Sequence, residues 1–461
     1  MEYQTKDELL SKAKEAEGKS FKELDKYNRL GNINAKGALG QVIEESFFEY
    51  TVNSEARPDF ENLGVELKVT PFKRNKNQSL SAKERLVLNI INYMEEVNTT
   101  FDTSSFWKKN RNLLLMFYEW LPNVNRQDFY IHKSILFQYP EEDLEVIKQD
   151  WKTIVEKMRN GKAHELSEGD TNYLGACTKG SNKSSLRSQP FSEIKAMQRA
   201  YSLKQSYMTS LVRKYVNQEE MISFAKAEEL KAKTLEEILT ERFAPYIGLT
   251  DSEIANRIGI EYKNKSKAFV ANLISALLGI KGTKLDQIAE FAKANIQFKT
   301  VRLEPNGKPK ESMSFKNIDF QEWTSESWED SYIRNLFLET KFLFVVFEYK
   351  ETKEQNPNRE LLFKGIKIWN MPYSTIEKEI KQIWEEVNKL ITEGLQISYV
   401  KRGKKIVETN NLPKSNFNGI AHIRPKGKDG TDKVILPNGQ SITKQCFWLN
   451  NGYITEIVNE A

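Results

Sequence analysis

Hydrophobic and polar positions follow two different periods early in the chain, and each period predicts one element. Between residues 37 and 50 the apolar residues recur at helical spacing, which predicts an amphipathic helix. Between Leu63 and Thr70 apolar residues alternate with polar ones, which is typical of a strand. Because alternate side chains share one face of a strand, Glu66 and Lys68 should point to the same side.

Longer-range patterns place further elements in both halves of the chain. Buried strands are predicted over Leu113–Tyr118 and Phe342–Phe347, and helices over Gln149–Gly161, Pro190–Val216 and Trp384–Gly394. Alternation of helices with strands indicates α/β cores, each built around a mixed central sheet flanked by helices. We therefore predict the α/β class for this chain.

Two carboxylates and a lysine lie close together around the first predicted strand. Hydrolysis of a phosphodiester needs a hard cation with oxygen ligands, and Asp59 and Glu66 are suited to bind one. Lys68 can hydrogen-bond the attacking water and stabilise developing negative charge. Carboxylates and lysines also alternate on many solvated strands, so this pattern alone does not specify a nuclease. The predicted helix adds a third carboxylate, Glu44 or Glu45, which could reach the same site.

A wider motif around these residues is more specific. It reads Gly40-x-x-x-Glu44, then Asp59-Phe-x-x-Leu-Gly-Val-Glu66-Leu-Lys68-x-x-Pro71. This motif resembles the MutH-like branch of the PD-(D/E)xK nucleases, which includes the mismatch-repair nicking enzyme MutH and type II restriction enzymes that cut at GATC. The resemblance implies a Mg²⁺-dependent type II restriction endonuclease that cleaves double-stranded DNA at GATC, before the G. Catalysis is then assigned to Glu44, Asp59, Glu66 and Lys68, and metal binding to Asp59, Glu66 and Leu67.

Later segments extend the resemblance over about residues 6–215. Lys108–Glu119 is predicted to be a basic turn that leads into a strand, and the family has a lysine of the catalytic site in such a turn. Lys109 and Arg111 are both candidates for that lysine. Segments around residues 173–183 and 199–207 resemble family loops that contact the bases and backbone of DNA. The predicted DNA-binding residues of the first half are Lys179, Lys183, Arg187, Lys204 and Tyr207.

The sequence then repeats, which indicates duplicated domains. Glu8-Leu-Leu-Ser-Lys-Ala-Lys is followed much later by Glu220-Met-Ile-Ser-Phe-Ala-Lys, and further similar segments occur in the same order. We place the catalytic copy at residues 1–216 and the second copy at residues 217–461. Each copy is long enough to bury its own core.

The second copy differs from the first at the carboxylates. Ser275 or Ala276 stands at the position of Glu44, Glu290 at that of Asp59 and Gln297 at that of Glu66, while Lys299 keeps the lysine. Loss of about two negative charges should prevent cation binding, so we expect this copy to be catalytically inactive. Its basic loops resemble the recognition loops of the family, with Arg424, Lys426 and Lys444 as predicted DNA-binding residues. A DNA-binding allosteric domain is therefore expected, and a purely supporting domain is the alternative.

Composition adds few constraints to this picture. Lys and Arg number 69 against 64 Asp and Glu, so DNA binding must come from local basic patches. Two cysteines, Cys177 and Cys446, are too few for a disulfide framework. Three histidines without a Cys/His cluster argue against a zinc-dependent or histidine-dependent nuclease. No signal peptide or long apolar run is evident, which predicts a cytoplasmic protein without a membrane partner.

The predicted partner is double-stranded DNA containing GATC, and a cognate methyltransferase is expected in the same system. One active domain per chain cannot cut both strands at once, so either a transient homodimer on DNA or two successive nicks are expected. Two other functions stay open. One is a strand-specific mismatch-repair nickase, which resembles a single copy, and the other is a non-catalytic DNA-binding regulator.

Overall fold

The computed structural model describes residues 3–31, 37–50, 57–180, 185–262, 267–282, 284–403 and 405–459. The chain forms two compact units. Unit 1 comprises Met1–Ile238 and Thr283–Asn295, and unit 2 comprises Leu239–Gly282 and Ile296–Ala461. The boundary predicted near residue 217 separates two sequence copies rather than these compact units, and it stays a prediction.

The first half of the chain contains seven α-helices and nine strands among the described residues. They are α1 Lys6–Lys14, α2 Phe21–Leu24, α3 Ala38–Gln41, β1 Glu66–Arg74, β2 Leu80–Ala82, β3 Leu86–Ile90, α4 Tyr93–Glu96, α5 Ser105–Asn110, β4 Asn112–Glu119, β5 Ile131–Gln138, α6 Glu141–Arg159, β6 Leu174–Thr178, β7 Leu186–Gln189, β8 Ser192–Met197, β9 Arg199–Leu203 and α7 Gln205–Tyr215. A π-helix over Val42–Phe47 continues α3.

The second half follows a similar order. Its elements are α8 Ala227–Ala232, α9 Leu235–Phe243, α10 Asp251–Arg257, α11 Lys267–Leu277, α12 Ala289–Lys293, β10 Ile296–Leu303, β11 Met313–Asn317, α13 Phe320–Ser325, α14 Tyr332–Glu339, β12 Lys341–Tyr349, β13 Leu361–Trp369, α15 Tyr373–Thr375, α16 Lys381–Glu393, β14 Ser398–Arg402, β15 Lys405–Thr409, β16 Ala421–Pro425, β17 Lys433–Ile435, β18 Ser441–Thr443, β19 Gln445–Leu449 and α17 Asn451–Asn459. A π-helix over Ile376–Ile380 joins α15 to α16.

The central sheet of the first half is mixed, in the order β2-β1-β4-β5. β1 runs parallel to β4, whereas β2 and β5 are antiparallel to their neighbours. All residues of β4 except the last are buried, because β4 lies between β1 and β5 and carries apolar side chains on both faces. A second sheet has the order β3-β9-β6.

The second half repeats this topology. Its sheet β10-β12-β13 again has a parallel pair followed by an antiparallel pair. The sheet β11-β19-β16 corresponds to β3-β9-β6, and α17 follows β19 as α7 follows β9. The predicted class, α/β with a mixed sheet flanked by helices in each half, is therefore confirmed.

Two elements differ from the sequence prediction. The strand predicted over Leu63–Thr70 starts only at Glu66, because Gly64 adopts a left-handed conformation (φ +61°) that ends a 3-10 turn. The helix predicted over Pro190–Val216 was wrong before Gln205. Most of the preceding residues form β8 and β9, and β9 is buried between β3 and β6, so strand pairing outweighs the local helical spacing.

Candidate active site

A tight turn before β1 brings Asp59 and Glu66 together. Phe60 and Val65 form a two-residue β-bridge, with N–H···O distances of 2.9 and 3.2 Å, and the turn between them closes at Gly64. Phe60 and Val65 are buried in the apolar cluster beneath the turn. Because Asp59 and Glu66 flank the bridge on either side, their separation of seven residues in sequence becomes a short distance in space.

Backbone hydrogen bonds hold both carboxylates in place. Asp59 Oδ2 accepts a hydrogen bond from the Leu67 N–H at 2.9 Å, and Glu66 Oε2 accepts one from the Asp59 N–H at 3.2 Å. Glu66 is only 2% exposed. Burial raises the pKa of Glu66, and the Asp59 carboxylate adds to this rise, whereas Lys68 opposes it. Both carboxylates therefore occupy one partly desolvated site.

Glu44 is the helix carboxylate that reaches this site. The pKa of Glu44 is raised to about 7, first by burial and then by the negative charges of Asp59 and Glu66, while Lys68 opposes the rise. Glu45 instead forms an ion pair with Arg29, with Nε and Oε2 2.5 Å apart. The sequence left Glu44 and Glu45 both open, and the structure places Glu44 at the site.

Two lysines approach Glu66 from different elements. The Nζ of Lys68 lies 2.7 Å from Glu66 Oε1, and that of Lys109 lies 3.7 Å from the same oxygen. Arg111 packs its guanidinium against Gly64 instead, so Lys109 is the second lysine of the site. The segment was predicted to be a turn. Lys108–Asn110 instead form the end of helix α5, which places Lys109 about one helical turn after Phe106 and three residues before β4 begins at Asn112.

The donor set suits a hard divalent cation. Glu44, Asp59 and Glu66 supply carboxylate oxygens, which are the ligands that Mg²⁺ prefers. Burial is the main cause of the raised pKa of Glu44, and the negative charges of Asp59 and Glu66, which a cation would neutralise, add to it. With the side chains as they stand, no three His, Cys, Asp or Glu residues within the described ranges are arranged as a metal site. Lys68 occupies Glu66 Oε1 in this arrangement, so that ammonium group would have to shift for Glu66 to bind a metal through that oxygen.

This arrangement can support phosphodiester hydrolysis. A bound divalent cation would supply charge neutralisation and lower the pKa of a water molecule. The Lys68 ammonium can donate a hydrogen bond to an attacking water or to a phosphate oxygen, and Lys109 adds positive charge beside it. Glu44, with a pKa of about 7, can accept a proton near neutral pH.

The predicted DNA-binding residues of the first half separate into two groups. Lys179 directly follows β6 and is half-buried, with its backbone N–H bonded to the Gln198 carbonyl at 2.7 Å. Arg187 is exposed on β7, where it contacts the side chain of Gln198 at 3.4 Å. Lys183 lies outside the described residues. Lys179 and Arg187 thus share one end of the hairpin formed by β7 and β8.

Lys204 and Tyr207 form the second group, and their predicted role needs correction. Lys204 is 4% exposed, and its ammonium donates to the backbone carbonyls of Glu168 and Thr171. Tyr207 is fully buried and donates to Asp143 Oδ2 at 2.9 Å. Because their polar groups are used inside the core, neither side chain presents a surface to DNA in this structure. Lys204 instead holds the loop that precedes β6.

The strand register supports the predicted counterparts in the second half. Glu66 pairs with Leu113 and Lys68 with Leu115 across the parallel strands of the first half. Gln297 pairs with Phe342 and Lys299 with Phe344 in the same way, and Leu113 and Phe342 are each the second residue of their strand. Gln297 therefore stands at the position of Glu66, and Lys299 at that of Lys68.

The other predicted counterparts, Glu290 and Ser275, form hydrogen bonds with the backbone. Glu290 is buried, and its carboxylate accepts bonds from the backbone N–H groups of Phe224 and Ala225 at 3.2 and 3.1 Å. Ser275 is buried on α11 and donates to the Asn272 carbonyl at 3.0 Å. Glu290 thus stabilises a backbone turn within unit 1.

The basic residues of the second half lie around β16 and β19. Arg424 is exposed and lies over the Trp448 ring, 4.6 Å from its centroid. Lys426 directly follows β16, as Lys179 follows β6, and donates to Ser314 Oγ at 2.8 Å. Lys444 forms an ion pair with Asp432 at 2.6 Å.

One equivalence that the sequence predicts in this region is wrong. Lys444-Gln-Cys-Phe447 is similar in sequence to Lys204-Gln-Ser-Tyr207, which predicts equivalent positions in the two copies. The segment Lys444–Phe447 lies mostly on β19, however, whereas Lys204 directly follows β9 and precedes α7. Asn450, which directly follows β19, is the topological counterpart of Lys204. The similarity of the two short sequences thus does not reflect their positions in the fold.

Two general expectations can be compared with the structure. Cys177 and Cys446 are both buried and unpaired. Within the described ranges, no helix is both long and apolar enough to cross a membrane.

Comparisons with known proteins agree with the repeated fold. The family model described as DNA mismatch repair enzyme MutH matches residues 48–150 and 282–383. The first segment contains Asp59, Glu66, Lys68 and Lys109, and the second contains Gln297 and Lys299. The family relationship therefore covers part of both halves.

Full-length similarity is found with a restriction enzyme. The chain is 39% identical over 497 residues to the type II restriction enzyme Sau3AI of Staphylococcus aureus, covering 99% of each chain. The mismatch repair protein MutH of Shewanella woodyi is 29% identical over 191 residues, which is 40% of this chain and 78% of that protein. MutH of Haemophilus influenzae is 27% identical over 231 residues, or 49% of this chain and 95% of that protein. The chain therefore belongs to the MutH-like family of type II restriction endonucleases.

Proposed function

We propose that this restriction endonuclease cleaves double-stranded DNA at GATC, before the G, by Mg²⁺-dependent phosphodiester hydrolysis in the first half of the chain. The observation that carries the proposal is the grouping of Glu44, Asp59 and Glu66 beside Lys68 and Lys109. Burial first, and neighbouring negative charge second, raise the pKa of Glu44 and of Glu66, and perturbed pKa values of this kind are common at functional sites. Mg²⁺ is the proposed metal, with Asp59, Glu66 and Leu67 as its binding residues.

The GATC specificity rests on the motif resemblance rather than on base contacts. Lys179 and Arg187 are proposed to contact DNA near the cleavage site, and Lys183 with them. The proposed cellular setting is the cytoplasm, with a cognate methyltransferase that protects the host sites. Because the first half supplies one hydrolytic site per chain, cleavage of both strands requires a transient homodimer on DNA or two successive nicks.

The second half is proposed to bind a further DNA copy and to stimulate the first half. Arg424 and Lys426 are the residues expected to contact that DNA, together with Lys444. The replacement of Glu66 by Gln297 removes a charge that a metal ligand needs, so the second half is proposed not to hydrolyse DNA. A mismatch-repair nickase is the second candidate function, because MutH relatives match about half of this chain.

A two-step experiment separates these functions. Binding of a GATC duplex is measured without metal, and Mg²⁺ is then added while products are followed on strand-labelled DNA. The proposal expects double-strand breaks at GATC on DNA without mismatches. Persistent single nicks would favour the nickase, and binding without cleavage would favour a non-catalytic regulator.

A further inference from the structure

The turn that joins Asp59 to Glu66 is held by a side chain from the next strand. Asn112, the first residue of β4, donates from Nδ2 to the Gly64 carbonyl at 3.0 Å. Asn112 is 8% exposed, so this bond is shielded from water. Gly64 has a left-handed backbone and closes the turn, and its carbonyl is therefore a point at which the turn can be fixed.

A second side chain orients the Asn112 amide. Gln138 on β5 donates from Nε2 to Asn112 Oδ1 at 2.9 Å. Because Oδ1 is occupied by this donor, Nδ2 is directed at Gly64. The guanidinium of Arg111, the residue before β4, also packs against Gly64, about 3.0 Å from where a Cβ would be. Residues of β4 and β5 thus clamp the turn that separates two predicted metal ligands.

The half without the carboxylates lacks this pair. Phe342 corresponds to Leu113, so the position of Asn112 is taken by Lys341. The position of Gln138 is taken by Asn370, which donates to the Thr340 carbonyl at 3.1 Å. The amide pair therefore occurs together with the acidic site and not with its degenerate counterpart.

We propose that Asn112, oriented by Gln138, is a positioning residue that sets the spacing of Asp59 and Glu66 for metal binding. Asn112 touches neither DNA nor metal in this role, and it acts only through Gly64. The inference rests on the proposed metal-dependent function. Groups of this kind, one step removed from the ligands, typically change metal affinity by about 10- to 100-fold when they are removed.

The test measures metal affinity apart from cleavage. Ca²⁺ is titrated calorimetrically into the full-length protein bound to a GATC duplex. Asn112→Ala is expected to raise the Ca²⁺ dissociation constant by about tenfold, and to leave metal-free DNA affinity within about twofold. Asn112→Asp keeps the size of the side chain and removes the donor, so it should act in the same direction if Asn112→Ala does not fold.

Controls distinguish positioning from a general loss of stability. Asn370→Ala removes a comparable amide-to-backbone bond in the second half and should leave Ca²⁺ affinity unchanged. Gln138→Glu replaces the donor by an acceptor and should weaken Ca²⁺ binding more than Gln138→Met does. Ca²⁺ affinity within about twofold of wild type in both Asn112 variants would overturn the inference, as would equal effects of the two Gln138 variants.

Failure of the proposed function would look different. If wild-type protein binds Ca²⁺ no better than Asp59→Ala, the acidic site is not a metal site, and that result contradicts the proposed function itself. If only Asp59→Ala loses affinity, the metal site stands and the role of Asn112 is rejected.

Discussion

The first strands of the two central sheets, β1 and β10, share a register but not a chemical environment. On β1, Lys68 pairs with a buried glutamate at 2.7 Å and is two residues from it. On β10, the corresponding lysine, Lys299, lies over the ring of Phe315, 4.8 Å from its centroid, and the glutamate position is Gln297. The two strands therefore keep the backbone and the lysine but differ in the acidic group.

The comparison distinguishes the apolar residues that form the sheet from the carboxylates proposed to carry out the chemistry. A parallel pair followed by an antiparallel pair forms in both halves, although only the first half has the carboxylates, because apolar residues of β4 and β12 fill the centre of each sheet. Glu44, Asp59 and Glu66 lower the stability of the folded protein when they are ionised, because burial and mutual repulsion raise the pKa of Glu44 and of Glu66. The proposed metal-dependent function explains why the first half keeps these residues despite the loss of folding stability.

The largest effect is expected from breaking the acidic site. Asp59→Ala and Lys68→Ala should each reduce single-turnover cleavage by about 10²–10⁴-fold, because they remove a metal ligand and a donor to the reacting groups. Metal-free DNA binding should stay within about tenfold. Lys299→Ala, at the matched position of β10, should leave single-site cleavage within about twofold. Near wild-type cleavage by either first-half variant would show that the site is misassigned.

The next effect concerns the choice between Glu44 and Glu45. Glu44→Gln should reduce cleavage by about 100-fold, and Glu45→Gln should reduce it only mildly, since Glu45 pairs with Arg29. The opposite ranking would mean that the other helix carboxylate serves the site.

The pH dependence of protein stability tests the raised pKa of Glu44 independently of cleavage. Its pKa is raised from 4.5 to about 7 on folding, so the metal-free protein loses stability as pH rises through that window. Glu44→Gln should therefore be more stable than wild type at pH 8, by up to about 3 kcal/mol, while the free energies of unfolding of the two proteins should be similar at pH 4.5. Thermal unfolding without metal at both pH values tests this. Equal stabilities at pH 8 would contradict the predicted cause.

A smaller effect is expected at the matched lysines that follow β6 and β16. Lys179→Ala should reduce discrimination between GATC and a one-base variant by about 1–3 kcal/mol, if Lys179 contacts a base. Cleavage rates on the two duplexes provide the measurement, and Lys426→Ala serves as the second-half control. An unchanged ratio would assign Lys179 to the backbone or to no contact.

The smallest effect is expected from the second half. An added GATC duplex should accelerate cleavage of a one-site plasmid, and coupling of about 1–3 kcal/mol is typical of such effects. Combined Arg424→Ala and Lys426→Ala should remove the acceleration while the basal rate stays unchanged. No acceleration of the wild-type enzyme would leave the second half only a supporting role.

Sequence reasoning reached the acidic site because its signals are local. The alternation around Glu66 and the helical spacing before Glu44 follow from side-chain direction within single elements. The choice of Lys109 over Arg111 could not be made this way, because it depends on where α5 ends relative to Gly64.

Contacts between residues that are far apart in sequence explain why the DNA-binding role predicted for Lys204 and Tyr207 was wrong. Lys204 and Tyr207 have the composition of a DNA-contacting segment, yet their partners are Glu168, Thr171 and Asp143, which are 33 to 64 residues away. Asn112 gave no signal for the same reason, since Gly64 is 48 residues from it. Such contacts depend on the folded arrangement, not on the spacing of residues along the chain.

A single hydrolytic site per chain, built on β1, is proposed to cleave both DNA strands. Single-turnover cleavage of a strand-labelled GATC duplex should be compared for Glu66→Gln and for Gln297→Ala, the same position on β10. Glu66→Gln is expected to lose cleavage of both strands, whereas Gln297→Ala should cleave both. Cleavage of either strand by Glu66→Gln at near wild-type rate, or loss of cleavage of one strand in Gln297→Ala, would show that β1 does not carry the single hydrolytic site.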